Sequence, residues 1–202
     1  MSKLVETEVK VFVPDRAAML AQLEASGATL KSPRVYEHNV RYEDAQETLT
    51  ASGIVLRLRQ DTRVRLTYKA PPVEASRAEG VLTRFEAEVT IDDFETMDVI
   101  LQRLGFHPYV VYEKYRTTYE LGEAEIVLDE MPYGDFLEAE GSPEAIEAAL
   151  SALGLHDRPR ILTSYMALFE RVKAALGLAA HDLTFANFEG VDVPQEIFRG
   201  AD

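Results

Sequence analysis

Apolar and polar residues alternate through "VETEVKVFV", residues 5–13. As a strand this places Val5, Thr7, Val9, Val11 and Val13 on one face and Glu6, Glu8 and Lys10 on the other. Pro14 and Asp15 then open a helix through "RAAMLAQLEAS", closed by Gly27. "GIVLRLRQ" and "RVRLTYKAP" read as two strands split near Asp61 and Thr62, and "PPVEASRAEGVLT" as a mobile loop. "RFEAEVTI" is a strand, and Asp92 or Asp93 caps the helix "FETMDVILQRL", which ends at Gly105. "YVVYEKYRTTYEL" and "EIVLDEM" form a hairpin across Gly122, followed by the strand "DFLEAEG". Ser142 and Pro143 open the helix "EAIEAALSAL", ended by Gly154, and a last helix runs from about Thr163 to Leu176.

Three times the chain repeats strand, acidic or proline break, helix and glycine, and each strand holds Glu-x-Glu. The pairs are Glu6 with Glu8, Glu86 with Glu88, and Glu138 with Glu140; the glycines are Gly27, Gly105 and Gly154. Basic residues align in the same way. Arg57 and Arg59 share a face, as do Arg65, Thr67 and Lys69, and Lys114, Arg116 and Thr118; Arg84 lies on the face of Glu86 and Glu88. A solvated sheet face accounts for any one of these strands. It does not account for the set, in which acidic and basic pairs segregate strand by strand. If the sheet closes on itself, the charged face becomes its lumen and the apolar face packs against helices. The expected fold is therefore α+β: a closed eight-stranded antiparallel barrel with a charged lumen and helices outside.

Composition narrows the chemistry. The 202 residues suit one domain with a tail, and a formal charge of −14 argues against non-specific binding to nucleic acid or an anionic membrane. Neither a spanning segment nor a signal peptide is legible, so a cytoplasmic protein is expected. There is no cysteine, and His38, His107, His156 and His181 show no ligand spacing, which disfavours zinc. Buried rows of like charge each cost several kcal/mol unless partners are supplied. A polyanion suits the Arg and Lys rows, and hard divalent cations, Mg²⁺ or Mn²⁺ among them, suit the carboxylates. Same-face neighbours about 6.6 Å apart can follow successive phosphates. Paired carboxylates also suit a glycosidase, but that leaves the basic rows unexplained. No Walker motif, GxGxxG or nucleophile elbow is present.

The ordered set ExExK (Glu6 to Lys10), "LRLR", "LTYKAP", "RFEAEV", "YEKYRTTY", "VLDEMPYGDFLEAEG" and "TSYMALF" resembles the CYTH superfamily, the triphosphate tunnel metalloenzymes, over about residues 4 to 175. The resemblance implies a tunnel of eight antiparallel strands, divalent metal dependence and a triphosphate substrate. By position it implies that Glu6, Glu8, Glu138 and Glu140 hold metal, with Asp129 nearby and Glu86 and Glu88 as a second acidic pair. Lys10, Arg57, Arg59, Lys69, Lys114 and Arg116 would bind phosphates, with Lys10, Glu6 and Glu8 at the chemistry. Arg65 and Arg84 face inward as supports. After the second strand the family often reads Asp-x-Tyr, and some hydrolytic members pair that tyrosine with the signature lysine to activate water. Here the chain reads Asn39-Val40-Arg41-Tyr42-Glu43, and Arg41 cannot serve as a base.

Residues 1–177 form the expected tunnel domain, and 178–202 an extension docking, through Phe185, Phe188 and Phe198, on the body or a second subunit of a homodimer. Three functions stay open: a metal-dependent hydrolase of tripolyphosphate or a nucleoside triphosphate, slightly favoured; a class IV adenylyl cyclase; and a polyphosphate- or nucleotide-binding module without turnover.

Overall fold

The computed structural model describes residues 4–72 and 80–198. Most of the loop "PPVEASRAEGVLT", residues 73–79, lies outside the described residues. The strands are β1 (Val5–Val13), β2 (Thr29–Asp44), β3 (Val55–Gln60), β4 (Val64–Ala70), β5 (Leu82–Ile91), β6 (Phe106–Leu121), β7 (Ala124–Met131), β8 (Gly134–Glu140) and the two-residue β9 (Arg160–Ile161). The helices are α1 (Arg16–Ala25), α2 (Thr48–Ala51), α3 (Phe94–Arg103), α4 (Pro143–Ala152) and α5 (Tyr165–Leu176).

Each longer helix begins as its local sequence dictates. Asp15, Asp93, Ser142 and Ser164 accept hydrogen bonds from backbone N–H groups three residues on, at 2.7 to 3.2 Å, each such cap contributing about 1 kcal/mol. Gly122, at φ +62°, lets β6 turn back into β7, with Leu121 facing Ala124. Patterning showed no element over Thr29–Asp44, where β2 runs for 16 residues. Its pairing with β6 is irregular between Leu30 and Ser32 and between Ser32 and Val35, where β2 carries an extra residue that resets the phase of its side chains, and between Arg41 and Tyr42, where the extra residue is on β6.

The strands pair in the order β5-β4-β3-β2-β6-β7-β8-β1, all antiparallel. The first half of β1 pairs back onto β5, from Val5 opposite Phe85 to Glu8 opposite Leu82, and so closes a ring of eight strands. Further along the same edge of β1, β9 takes over opposite Lys10 and Val11.

Outside the ring, Val9, Val11, Val13, Ile126, Leu128, Leu137 and Ala139 pack under α1 and α4. Val40, Tyr42, Leu58 and Val64 pack with Leu101 of α3. Each fully buried aliphatic side chain contributes roughly 1.5–3 kcal/mol. The third cluster belongs to the other face. The side of β1 that carries Glu6, Glu8 and Lys10 continues as Phe12, opposite Phe136 of β8. Phe12 and Phe136 meet Tyr165 and Phe169 of α5, together with Leu183, Phe188 and Phe198 from beyond it. Part of the inward face is thus apolar and is covered by the C-terminal segment. Leu183 also bonds along β6, donating to Val111 and accepting from Glu113, both at 2.9 Å. Gly134 leaves room for the Phe12 ring, from which a Cβ there would lie 3.1 Å, and Phe198 of the C-terminal segment stacks on that ring. No helix among the described residues is long and apolar enough to cross a membrane.

Candidate active site

The remaining inward face encloses a cavity of about 770 Å³. Glu6, Glu8 and Lys10 line it from β1, Arg57 and Arg59 from β3, and Arg65 and Lys69 from β4. Glu86 and Glu88 line it from β5, Lys114 and Arg116 from β6, and Glu138 and Glu140 from β8. Every residue expected at the site is therefore on one wall or another of this cavity except Asp129, which is fully buried behind it.

The charges hold one another. Lys10 donates to Glu8 and lies 3.2 Å from Glu138. Burial opposes its charge, but these two carboxylates overcome that and raise its pKa. Lys69 bridges Glu6 and, at 2.9 Å, Glu86. These two carboxyls part company: burial and the Glu86 neighbour push Glu6 up, whereas for Glu86 burial is outweighed by the Lys69 charge together with hydrogen bonds from Glu6 and Lys69 and the Arg57 charge, which pull it down. Arg116 donates to both oxygens of Asp129 at 2.7 and 2.6 Å and to Glu138 at 2.7 Å. Burial raises Glu138, but Lys10, Arg116 and Lys114 together hold it well below the usual carboxylate range. Thr67 donates to Glu88 at 2.8 Å, and Arg59, Arg65 and Arg57 lie 3.4 to 3.7 Å from that carboxylate.

Asp129 accepts from Lys114 at 2.9 Å and from the Tyr165 hydroxyl at 3.0 Å, in addition to Arg116. With its lone pairs taken, it orients cations from behind the wall. The resemblance implies that it lies near the metal carboxylates, and one Arg116 nitrogen bridges it to Glu138.

Two residues that the sequence reading did not single out complete the site. Glu37 of β2 is 1% exposed, accepts from Arg59 at 3.3 Å, and stands 3.6 Å from Lys114 and 3.9 Å from Arg116. Although burial raises its pKa, the Lys114, Arg116 and Arg59 charges drive it far down. Tyr165 at the start of α5 sets its ring 5.3 Å from the Lys10 ammonium and 5.4 Å from that of Lys114. Glu37 lies on β2, where patterning showed no element; Tyr165 was visible only as a letter in "TSYMALF".

The donor set suits a hard divalent ion, being carboxylate throughout. Glu140 shows the strain such an ion would relieve. Burial first, then the charges of Glu6, Glu125 and Glu8, push it up to about 7. Among the described residues no three acidic or histidine side chains already converge as a cage. Glu6 and Glu8 are instead drawn to Lys69 and Lys10.

A closed ring of strands that turns its charges inward, with helices on its apolar exterior, defines a class of inside-out sheet proteins. The chain belongs to the CYTH domain family, whose model matches residues 4–163. It is similar to a Methanocaldococcus jannaschii protein that carries the provisional name of adenylate cyclase. The two are 28% identical over 141 residues, 69% of this chain and 78% of that one. The structure of a Vibrio parahaemolyticus protein, also provisionally named an adenylate cyclase, superposes with a TM-score of 0.67 at 22% identity, covering 82% of this chain and 97% of that one. A Hippeastrum protein, provisionally an adenylyl cyclase and described as having a dominant triphosphatase activity, superposes with a TM-score of 0.59 at 22% identity, covering 82% of this chain and 95% of that one.

Proposed function

We propose that this protein is a divalent-metal-dependent phosphohydrolase that cleaves a terminal phosphate from a triphosphate bound in the ring. The observation that carries the reading is the opposition of signs within one cavity of about 770 Å³: three strands, β3, β4 and β6, present basic pairs to it, and β1, β5 and β8 present acidic pairs. The Nε atoms of Arg57, Arg59 and Arg65 are buried without a hydrogen-bond partner, although the guanidinium groups line the cavity. Arg57, Arg59, Lys114 and Arg116 would bind successive phosphates, with Lys69 and Lys10 at the acidic end. Glu37 and Asp129 hold these cations in place from behind. Glu6, Glu8, Glu138 and Glu140, with Glu86 and Glu88 beside them, would hold Mg²⁺ or Mn²⁺, which when bound supplies charge neutralisation at the phosphate oxygens.

In the hydrolytic step a water oxygen bonds to the terminal phosphorus and the bridging P–O bond breaks, releasing inorganic phosphate and the shortened chain. Lys10 clamps a phosphate as a cation in this scheme. Its raised pKa keeps the ammonium protonated, and Arg41 stands where a tyrosine partner would be needed to make it a base.

The M. jannaschii likeness favours a second reading, an adenylyl cyclase, in which the ribose 3′-OH attacks the α-phosphorus of ATP and pyrophosphate leaves. Product analysis separates the two. Incubation with ATP and with tripolyphosphate, under Mg²⁺ or Mn²⁺, should release orthophosphate. Cyclic AMP with pyrophosphate establishes the cyclase. Binding without turnover under either metal would make the chain a binding module. No shift of melting temperature with millimolar tripolyphosphate and Mg²⁺ would remove the tunnel reading.

A further inference from the structure

Tyr112 of β6 carries a hydroxyl to which neither the metal carboxylates nor the basic rows give a task. The residue is 8% exposed and lines the central cavity among its cations. Its ring belongs to the apolar cluster under the C-terminal segment, with Phe136 and Leu183. Its oxygen accepts from Arg57 at 3.1 Å. The other terminal nitrogen of that guanidinium donates to Thr67 at 3.1 Å, so Arg57 is oriented from two sides. Among the described residues no acceptor takes the Tyr112 proton. A phenol donates as well as accepts, and a donor on a cavity wall can turn its proton to an anion inside.

The strand around this phenol is held on both edges. β7 pairs with β6 only from Tyr115 onward. Over the residues before it, the C-terminal segment bonds to β6 instead. Val111 donates to the Asp182 carboxylate and accepts from the Leu183 N–H, and Glu113 donates to the Leu183 carbonyl, each at 2.9 Å. The Glu113 carboxylate accepts from the Phe185 N–H, also at 2.9 Å. Asp182, Leu183 and Phe185 lie beyond the residues matched by the family model, so the chain's own C-terminal part fixes the Tyr112 strand. The titratable groups that act on the phenol are Arg57 from β3, Glu37 and Arg41 from β2, Lys114 on β6 itself and Tyr133 ahead of β8. Burial opposes its ionisation, but the Arg57 and Lys114 charges and the Arg57 hydrogen bond outweigh burial and Glu37 and draw its pKa below the usual tyrosine value. An O–H donor facing an ionised oxygen makes the shorter and stronger kind of hydrogen bond.

We propose that Tyr112 is a further substrate-contacting residue, whose hydroxyl donates to an oxygen of the phosphate that Arg57 binds, so that phenol and guanidinium act as one anion-binding pair. A phosphate seated against Arg57 comes within reach of the phenol because the two groups already share a hydrogen bond. The proposal rests on the triphosphate reading of the central cavity and adds a neutral, directional donor to its rows of cations. The contact is to phosphate alone, so it serves an inorganic and an organic triphosphate equally.

The test has two readouts, and the contact stands only if both move. Phenolate absorbance is titrated with alkali in the wild type and in Tyr112→Phe, with a chelator present so that a bound chain is not cleaved; the difference between the two proteins reports Tyr112. In the free protein this phenol should ionise below the usual value of about 10, and saturating tripolyphosphate should move it up by about one unit or more. With Mg²⁺, and with substrate loss measured so that hydrolysis and cyclisation both register, Tyr112→Phe should lower kcat/KM by roughly tenfold or more on tripolyphosphate and on ATP alike, the loss of one hydrogen bond to a charged group. A titration that tripolyphosphate leaves in place, or an unchanged kcat/KM, overturns the contact, while calorimetric binding of tripolyphosphate to the wild type keeps the triphosphate reading. Loss of kcat at unchanged KM, with wild-type activity that rises through the ionisation of the phenol, would make the oxygen a base and overturns the donor role. No calorimetric binding of tripolyphosphate, with or without Mg²⁺, overturns both. Should Tyr112→Phe fail to fold, as its melting temperature would show, Tyr112→Leu, which equally lacks the hydroxyl, decides in its place.

Discussion

Glu140 is the carboxylate whose environment is worst matched to its charge. Burial and the nearby Glu6, Glu125 and Glu8 raise it to about 7 against an ordinary 4.5, with only Lys69 opposing. A difference of about 2.5 pKa units corresponds to about 3 kcal/mol at 1.36 kcal/mol per unit. The folded state binds the extra proton, so the sign is fixed. Below pH 4.5 the carboxyl is neutral in both states and imposes no penalty; as pH rises towards 7 and beyond, the folded state must bear the charge and stability falls. Glu140→Gln removes that charge at nearly constant shape. In metal-free protein it should therefore be more stable than the wild type by about 2–3 kcal/mol at pH 8.5, with the gain shrinking towards zero at pH 4.5. Urea unfolding of both proteins across this range, in the presence of a chelator, measures the difference. A gain that is independent of pH, or largest in acid, would refute the electrostatic account. The same substitution should weaken the response of the melting temperature to Mg²⁺, because the site loses one of its acidic oxygens.

Two further outcomes follow from the geometry. Lys10→Arg keeps the cation but cannot deprotonate, so a clamp should retain appreciable kcat with an altered KM; loss of kcat and of the alkaline limb of the pH profile, at unchanged triphosphate affinity, would restore the base role. Phe198 is 2% exposed and stacks on Phe12 at 4.8 Å and against Phe136 at 5.3 Å, so Phe198→Ala should destabilise the fold by about 3–5 kcal/mol in thermal or chemical denaturation. A cost under about 1 kcal/mol would mean that the C-terminal segment contributes little to the body.

Much of the site was legible because a strand has a period of two. Alternation along "VETEVKVFV", "LRLRQ" and "DFLEAE" dictates which side chains share a face wherever those strands lie, and the shared sign within each row is a property of the letters. The helix starts were legible for the same local reason, since Asp15, Asp93, Ser142 and Ser164 cap within three residues of themselves. The second strand was not legible. Extra residues near its start, between Leu30 and Val35, break its alternation, and with the strand went Glu37, the carboxylate that holds Arg59 and stands beside Lys114.

What the letters alone determined, then, is which residues stand together along each strand. Which face is the inside was decided by the closure of β1 on β5, a pairing of residues about 80 positions apart that no local preference encodes. Closure also decided the partners: Lys10 meets Glu138 and Arg116 meets Asp129 only because their strands are brought side by side. Depth was decided in the same way, as Asp129 and Glu140 show. Both are acidic residues in the same ring of strands, yet the first is saturated by three donors behind the wall and the second is crowded by carboxylates. The difference comes from long-range electrostatics and burial, which depend on positions in space and not on spacing along the chain.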